Sequence, residues 1–205
     1  MREKILKAIE ELRRSSKKRN FLQTFDLVIC LKEFDTKKPE NRFVEDIVLP
    51  HGKGEDARIV VFSDSLKDLD CEILTTADIE KYSKNNRLAK KLVKDVDFFF
   101  AEPKAMVLVG KVFGQYMGPK GKLPKIITGD IKRLIEDYKK VVRVRVKDAP
   151  VIQCAVGKEN MKDEEVAENI ESVLNVIRSK LPRGMQNIKK ILLKLTMSKP
   201  VEIKV

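Results

Sequence analysis

The apolar positions of this chain fall into two textures. Residues 2–14 (REKILKAIEELRR) place Ile5, Leu6, Ile9 and Leu12 at helical spacing, which predicts an amphipathic helix. In the NFLQTFDLVICLKEF that follows a basic run, Phe21, Phe25, Leu27, Ile29 and Leu31 share one parity while Thr24, Asp26 and Lys32 share the other. Such alternation predicts a half-buried strand with one wet face. Residues 43–49 (FVEDIVL) predict a second strand, and PHGKGED at 50–56, rich in Gly and charge, a hinge.

From Arg58 the texture changes. RIVVF (58–62) is a nearly continuous apolar run, the mark of a strand covered on both faces, and DFFFA (97–101) is another strand-like piece. A helical segment at 103–113 runs into the loop GQYMGPKGKLPK, and a further helix is predicted near 129–139. Strands alternating with helices predict a small α/β unit with a mostly parallel sheet.

At Val141 the first texture returns. VVRVRVK alternates Val142, Val144 and Val146 with Arg143, Arg145 and Lys147, and VIQCAVG (151–157) predicts another strand. Residues 163–181 carry Val166, Ile170, Val173, Ile177 and Leu181 as a helical stripe, acids in the first turn and Arg178 and Lys180 in the last. NIKKILLKLTM and PVEIKV predict two final strands joined through Ser198-Lys199. The expected fold is therefore α/β with two domains joined by a hinge. Residues 1–56 and 141–205 form a discontinuous α+β domain, and 57–140 an inserted α/β domain.

Composition narrows the function. The 205 residues carry 43 Lys+Arg against 31 Asp+Glu, a net charge of +12, spread over the segments 1–56, 57–140 and 141–205 as +2, +5 and +5. A basic surplus of this kind points to a polyanion, and in the cytosol usually to nucleic acid. No run approaches the ~20 apolar residues that span a bilayer, and the charged N-terminus has no apolar core of a secretion signal. Cys30, Cys71 and Cys154 form neither a disulfide framework nor a metal knuckle, which fits a reducing compartment, and a single histidine, His51, supports no multi-histidine metal site. Neither a metal nor a cofactor is expected.

Two features could carry chemistry. The first is the glycine- and lysine-rich stretch 110–125, whose backbone amides could hold phosphate oxygens. It is not a Walker loop, because Tyr116 precedes Gly121 by five and Leu123 stands where Ser or Thr is required. A surface turn, a contact with an RNA backbone and an anion loop of a nucleotide- or phosphosugar-binding enzyme (110–122) all remain open for it. The second is the set of polar strand positions. Arg143, Arg145 and Lys147 share one face, and Lys190, Lys194 and Thr196 another, which would make a flat positive surface if the opposite face is buried. Such a surface suits the wide, shallow minor groove of RNA; a solvated face is the plain alternative. Phe21 is expected in the core by position, with contact to a ribose or base as the other reading. A DNA-binding architectural protein would need a helix-turn-helix or zinc finger that the sequence does not offer.

Three segments together, RNFLQTFDL near the start, MVLVGKVFGQYMGPKGKLP in the middle and KLTMSKPVEIKV at the end, resemble the large-subunit ribosomal protein L-one family, most closely its archaeal type. The resemblance spans the whole chain. It implies a non-enzymatic, ribosome-associated cytoplasmic protein at the mobile stalk beside the tRNA exit site, and an inserted second domain of Rossmann-like form. It further implies ribosomal RNA binding mainly through the first domain and translational repression through the protein's own mRNA. It implies exit-site tRNA as a further partner, no membrane, and a free protein that is a monomer. Carried over residue by residue, the RNA contacts fall on Phe21, Thr24 and Asp26, and on Thr196, Met197 and Ser198, the last standing where the family often has glycine. Arg19, Lys147 and Lys190 are expected to add a salt-sensitive term. Gly118, Pro119, Gly121 and Lys122 match the family's loop and are expected to make a secondary RNA contact.

Overall fold

The computed structural model describes residues 1–38, 41–66 and 69–203. The chain divides into two compact units, Met1–Glu55 with Lys140–Val205, and Asp56–Lys139. Within each unit the two ends of the chain at the division run side by side. The Leu49 amide donates to the Lys140 carbonyl at 3.1 Å in the first, and the Ala57 amide to the Lys139 carbonyl at 3.0 Å in the second.

In the first unit a four-stranded antiparallel sheet joins β1 (Thr24–Leu31), β8 (Val151–Lys158), β9 (Ile188–Leu195) and β10 (Val201–Ile203) in the order β10-β9-β1-β8. The expected final strand extended through Val205, and residues 204–205 lie outside the described residues. Along β1 Phe25, Leu27, Ile29 and Leu31 are buried while Thr24, Asp26, Val28 and Cys30 are half-buried on the opposite face. The buried side packs on α1 (Arg2–Ser15) and α6 (Asp163–Lys180). Helix α1 contributes Ile5, Ala8, Ile9 and Leu12 at i, i+3, i+4 and i+7, the stripe that one helical face needs. Helix α6 starts where the Glu165 carboxylate accepts the Lys162 amide at 3.2 Å, and it buries Val166, Ile170, Val173 and Ile177. Arg13 ties the two helices together: it donates to Asp163 at 2.6 Å and to the Glu159 and Met161 carbonyls, each at 2.7 Å, while lying over the Phe25 ring.

A separate two-stranded ribbon pairs β2 (Phe43–Val48) with β7 (Val141–Val146). The row Arg143, Arg145 and Lys147 is therefore not an extension of the four-stranded sheet. Arg143 lies opposite Asp46 and grips its carboxylate at 2.8 and 3.3 Å, both side chains being mostly buried. Burial of a guanidinium requires such a partner, so this arginine serves the fold. Arg145 is exposed across from Val44, and Lys147 lies just past the end of β7.

The second unit is a parallel sheet, β4-β3-β5-β6, formed by β3 (Ile59–Phe62), β4 (Glu72–Leu74), β5 (Phe98–Ala101) and the two-residue β6 (Lys125–Ile126). Strands β3 and β5 are buried throughout, which is why their sequences run apolar without alternation. Phe62 and Phe99 stack on each other, and Phe62 also meets Phe113 of α4 (Pro103–Met117), which packs with Tyr82 of α2 (Thr76–Lys84). Phe98 and Phe100 turn their edges to Tyr138 of α5 (Ile131–Lys139) on the other side. Helix α3 (Asn86–Asp95) is capped by Asn85, whose side chain accepts the Arg87 and Leu88 amides. Helix α4 runs four residues past the expected end at 113, so Gly114 is a helical position and not loop. No described helix is long and apolar enough to cross a membrane.

Candidate nucleic-acid interface

The open face of the four-stranded sheet carries short polar side chains at its centre and an apolar lip at one end. On β1 it presents Thr24 and Asp26; on β9 it presents Lys190, Leu192 and Lys194, with Thr196 next in phase. Register places Asp26 beside Lys194, and the ammonium of Lys190 lies 3.7 Å from Glu202 of β10. The expected positive slab is thus corrected: its two strand lysines each have an acid on the neighbouring strand. What remains distinctive is shape, hydroxyls and apolar area.

The lip is built by a tight turn. The Ser198 amide donates to the Leu195 carbonyl at 3.0 Å, and the Ser198 hydroxyl accepts the Leu195 amide at 2.8 Å. The same hydroxyl lies 3.0 Å from the Lys199 carbonyl, so the side chain folds back onto its own turn. Thr196 Oγ1 accepts the Thr24 amide at 3.0 Å, stitching the end of β9 to the start of β1. The Met197 amide donates to Gln23 Oε1 at 3.2 Å. Gln23 is buried at 1% exposure and is further fixed by the Glu159 amide, which donates to its carbonyl at 2.9 Å. Around this anchored glutamine stand Phe21, Leu22 and Met197, exposed at 51%, 56% and 60%. Phe21 is therefore not a core residue, because the chain enters β1 only at Thr24. Three large apolar side chains held in water beside a hydrogen-bonded turn make this lip a candidate interaction surface.

Gln23 is absent from the expected site, although the sequence carries a signal for it. It shares parity with Phe25 and Leu27, and a polar side chain on the apolar parity of a strand is the signal that it is buried and bonded. Arg19 lies exposed in the loop between α1 and β1.

Asp26 has a charge state with consequences. Burial raises its carboxyl above the ordinary 3.8, and Lys194 only partly offsets this. The folded chain therefore holds this proton more tightly than the unfolded chain, and the stability it contributes is lost as pH rises through the raised value. Asp26→Asn, neutral and isosteric, is expected to melt above the parent at pH 7. The gap should close as pH falls below the ordinary carboxylate range, where both side chains are neutral; melting curves across pH check this. An acid kept on this face at such a cost is a candidate acceptor for a ligand hydroxyl or base N–H.

Three amides of the glycine–lysine loop are spent inside its own turn. The Gly118 amide donates to the Gly114 carbonyl at 2.9 Å, Gly121 to Gly118 at 3.0 Å and Lys122 to Met117 at 3.1 Å, while Pro119 has no amide hydrogen. Gly121 adopts φ +67°, the left-handed conformation that lets the turn close without a Cβ penalty. The Lys122 ammonium donates to the carbonyls of Val93 at 3.2 Å, Lys94 at 3.3 Å and Val96. Lys122 thus caps the C-terminal end of α3. Among the described residues no group of three or more His, Cys, Asp or Glu could hold a metal ion. His51 pairs through Nε2 with Glu168 at 2.7 Å, and burial pushes the Cys154 thiol up to about 12, so this cysteine is not set up as a nucleophile.

A model of the Ribosomal protein L1p/L10e family matches residues 12–199. The large ribosomal subunit protein uL1 of Pyrococcus abyssi is 40% identical over 211 residues, covering 99% of this chain and 96% of that protein. The protein of the same name from Methanocaldococcus jannaschii is 40% identical over 210 residues (99% and 96%), and that of Thermococcus kodakarensis 38% over 210 residues (98% and 97%).

Proposed function

This chain belongs to the Ribosomal protein L1p/L10e family, and from that premise we propose that the open sheet face of its discontinuous unit recognises folded ribosomal RNA at the mobile stalk near the tRNA exit site. As a family member it is a non-enzymatic protein of the large ribosomal subunit, ribosome-associated in the cytoplasm, and RNA binding is general to the family. Recognition is by shape. Thr24 and Thr196 offer hydroxyls to ribose 2′-OH and phosphate oxygens, Asp26 accepts from a hydroxyl or base edge, and Phe21 and Met197 supply apolar contact to sugars or bases. Ser198 holds the turn in the conformation that aims Met197 outward. Arg19, Lys147 and Lys190 contribute at the margin, where charge adds affinity without sequence preference. The same face is proposed to bind a similar structure in the protein's own mRNA and so repress its translation, with exit-site tRNA a further partner and the free protein monomeric.

The observation that supports this reading best is the Gln23-anchored lip, with Phe21, Leu22 and Met197 held exposed beside two threonine hydroxyls. Because every residue of that face comes from the two ends of the chain, replacing 56–139 by a short glycine linker is expected to preserve discrimination between a ribosomal RNA fragment and unrelated RNA of equal length. The two cut ends are adjacent, and loop closure depends weakly on length, so the shortened protein should fold. A folded truncation that no longer tells the two RNAs apart removes the sheet face from recognition.

A further inference from the structure

Helix α3 carries a charge pattern that the fold alone does not explain. From Lys81 to Lys94 the chain has six cations and no acid. Four of them, Arg87, Lys90, Lys91 and Lys94, fall at i, i+3, i+4 and i+7, and all four are exposed. At 100° per residue they lie within one narrow arc, opposite the buried Ala89, Leu92 and Val93. Each is a neighbour of two others at i,i+3 or i,i+4, and like charges at that spacing repel. Arg87 adds a second conflict, since the first turn of a helix favours acids and α3 has none there. Among the described residues none of the four is in an ion pair; Lys90 lies over the Tyr116 ring at 5.7 Å, which steadies its stem without neutralising it. Lys122 brings a further positive charge to the helix's last turn by donating to the Val93 and Lys94 carbonyls. Among the described residues, Asp95, the last residue of α3 and its one acid, is in no ion pair with the four cations, and four like charges against one acid mark a surface whose counter-charge comes from a partner.

We propose that this face of α3 is a second RNA-contact surface, on the inserted unit, that takes the phosphodiester backbone without reading sequence. The choice of polyanion rests on the family reading, which makes RNA the partner; the stripe itself is independent of the sheet face. The two surfaces divide the work: the sheet face, with its lysines beside acids, supplies shape recognition, and α3 supplies counterion release. The Gly118–Lys122 turn acts here as the brace that fixes the end of α3.

The test uses the full chain with Lys90→Gln, Lys91→Gln and Lys94→Gln together, and a companion with the same three lysines changed to Arg. All three positions are exposed, and Gln is as good a helix former as Lys, so folding is preserved. Binding to a ribosomal RNA fragment and to an unrelated, fully paired RNA is followed by fluorescence anisotropy between about 50 and 200 mM KCl. The Gln variant is expected to bind both RNAs at least tenfold more weakly at the lowest salt. Its log–log salt slope should be shallower by roughly 0.7–0.9 for each phosphate that it no longer neutralises. The Arg companion should match the parent. An unchanged slope and affinity overturns the proposal, as does an Arg companion as weak as the Gln variant. Loss of binding to poly-glutamate with RNA binding intact also overturns it, by making the partner an acidic protein. The sheet-face reading fails separately, through the parent's preference for the ribosomal fragment, which these substitutions do not touch.

Discussion

Replacing Asn169 with Ala is expected to lower the stability of the discontinuous unit by about 3 kcal/mol, read as a thermal midpoint roughly 10 °C lower. Asn169 is fully buried on α6, yet every polar atom of its side chain is used. Nδ2 donates to the Gly52 carbonyl at 2.7 Å and to the Val156 carbonyl at 2.9 Å, and Oδ1 accepts the His51 amide at 3.1 Å. One side chain therefore holds the segment following β2 against the helix and the edge strand. Its removal leaves three backbone groups short of partners, and each buried orphan costs about 1–3 kcal/mol, partly relieved where water enters. Asn169→Leu separates the causes, because leucine restores the volume and none of the bonds. If it destabilises as much as Ala, hydrogen bonding is responsible; if it restores the midpoint, packing is, and the bonding account is wrong.

Thr196→Ala and Met197→Ala are each expected to weaken binding to a ribosomal RNA fragment by about 1–3 kcal/mol, some 5- to 150-fold, with the fold retained. Thr196 accepts the Thr24 amide and, being exposed, has a hydroxyl proton to give to RNA. Alanine removes both, whereas Thr196→Ser keeps the hydroxyl and should stay within about threefold of the parent. Met197 is held by its backbone to Gln23, so truncating its exposed side chain leaves the turn intact and removes only the apolar contact. Titration of these variants, with circular dichroism to confirm folding, decides the matter. Parent-like affinity in both would show that the lip is not the recognition surface.

Most elements were legible because their periods differ so plainly. The alternation of Phe25, Leu27 and Ile29 specifies a strand with one wet face, and the unbroken IVVF and FFFA can only be strands covered twice. Charge was less legible, because a sequence displays lysines and not their partners. Arg143 read as a surface cation, yet Asp46 stands opposite it, and that pairing depends on a strand register set almost a hundred residues away. Lys122 read as part of a secondary RNA contact, and the sequence gives no sign that the carbonyls engaging it belong to α3 and the residue just past its end. Gly114 read as loop because glycine is a poor helix former, but the packing of Val109, Phe113 and Met117 overrides that preference. The Thr196–Ser198 turn came from family resemblance; Gln23 beneath it could have been found by parity alone.

The division of the chain also sets the timetable of its synthesis. Strand β1 finds its neighbours β8 and β9 only among residues 151–195, about 120 or more positions after its own last residue. At ~5–20 residues per second, the nascent strand waits roughly 6–24 s for its partner to be made. Meanwhile the second unit, encoded without interruption, has everything it needs to finish. For that interval Phe25, Leu27 and Ile29 have no sheet to join, so the growing chain passes through a stage in which its middle is complete and its beginning still needs shelter.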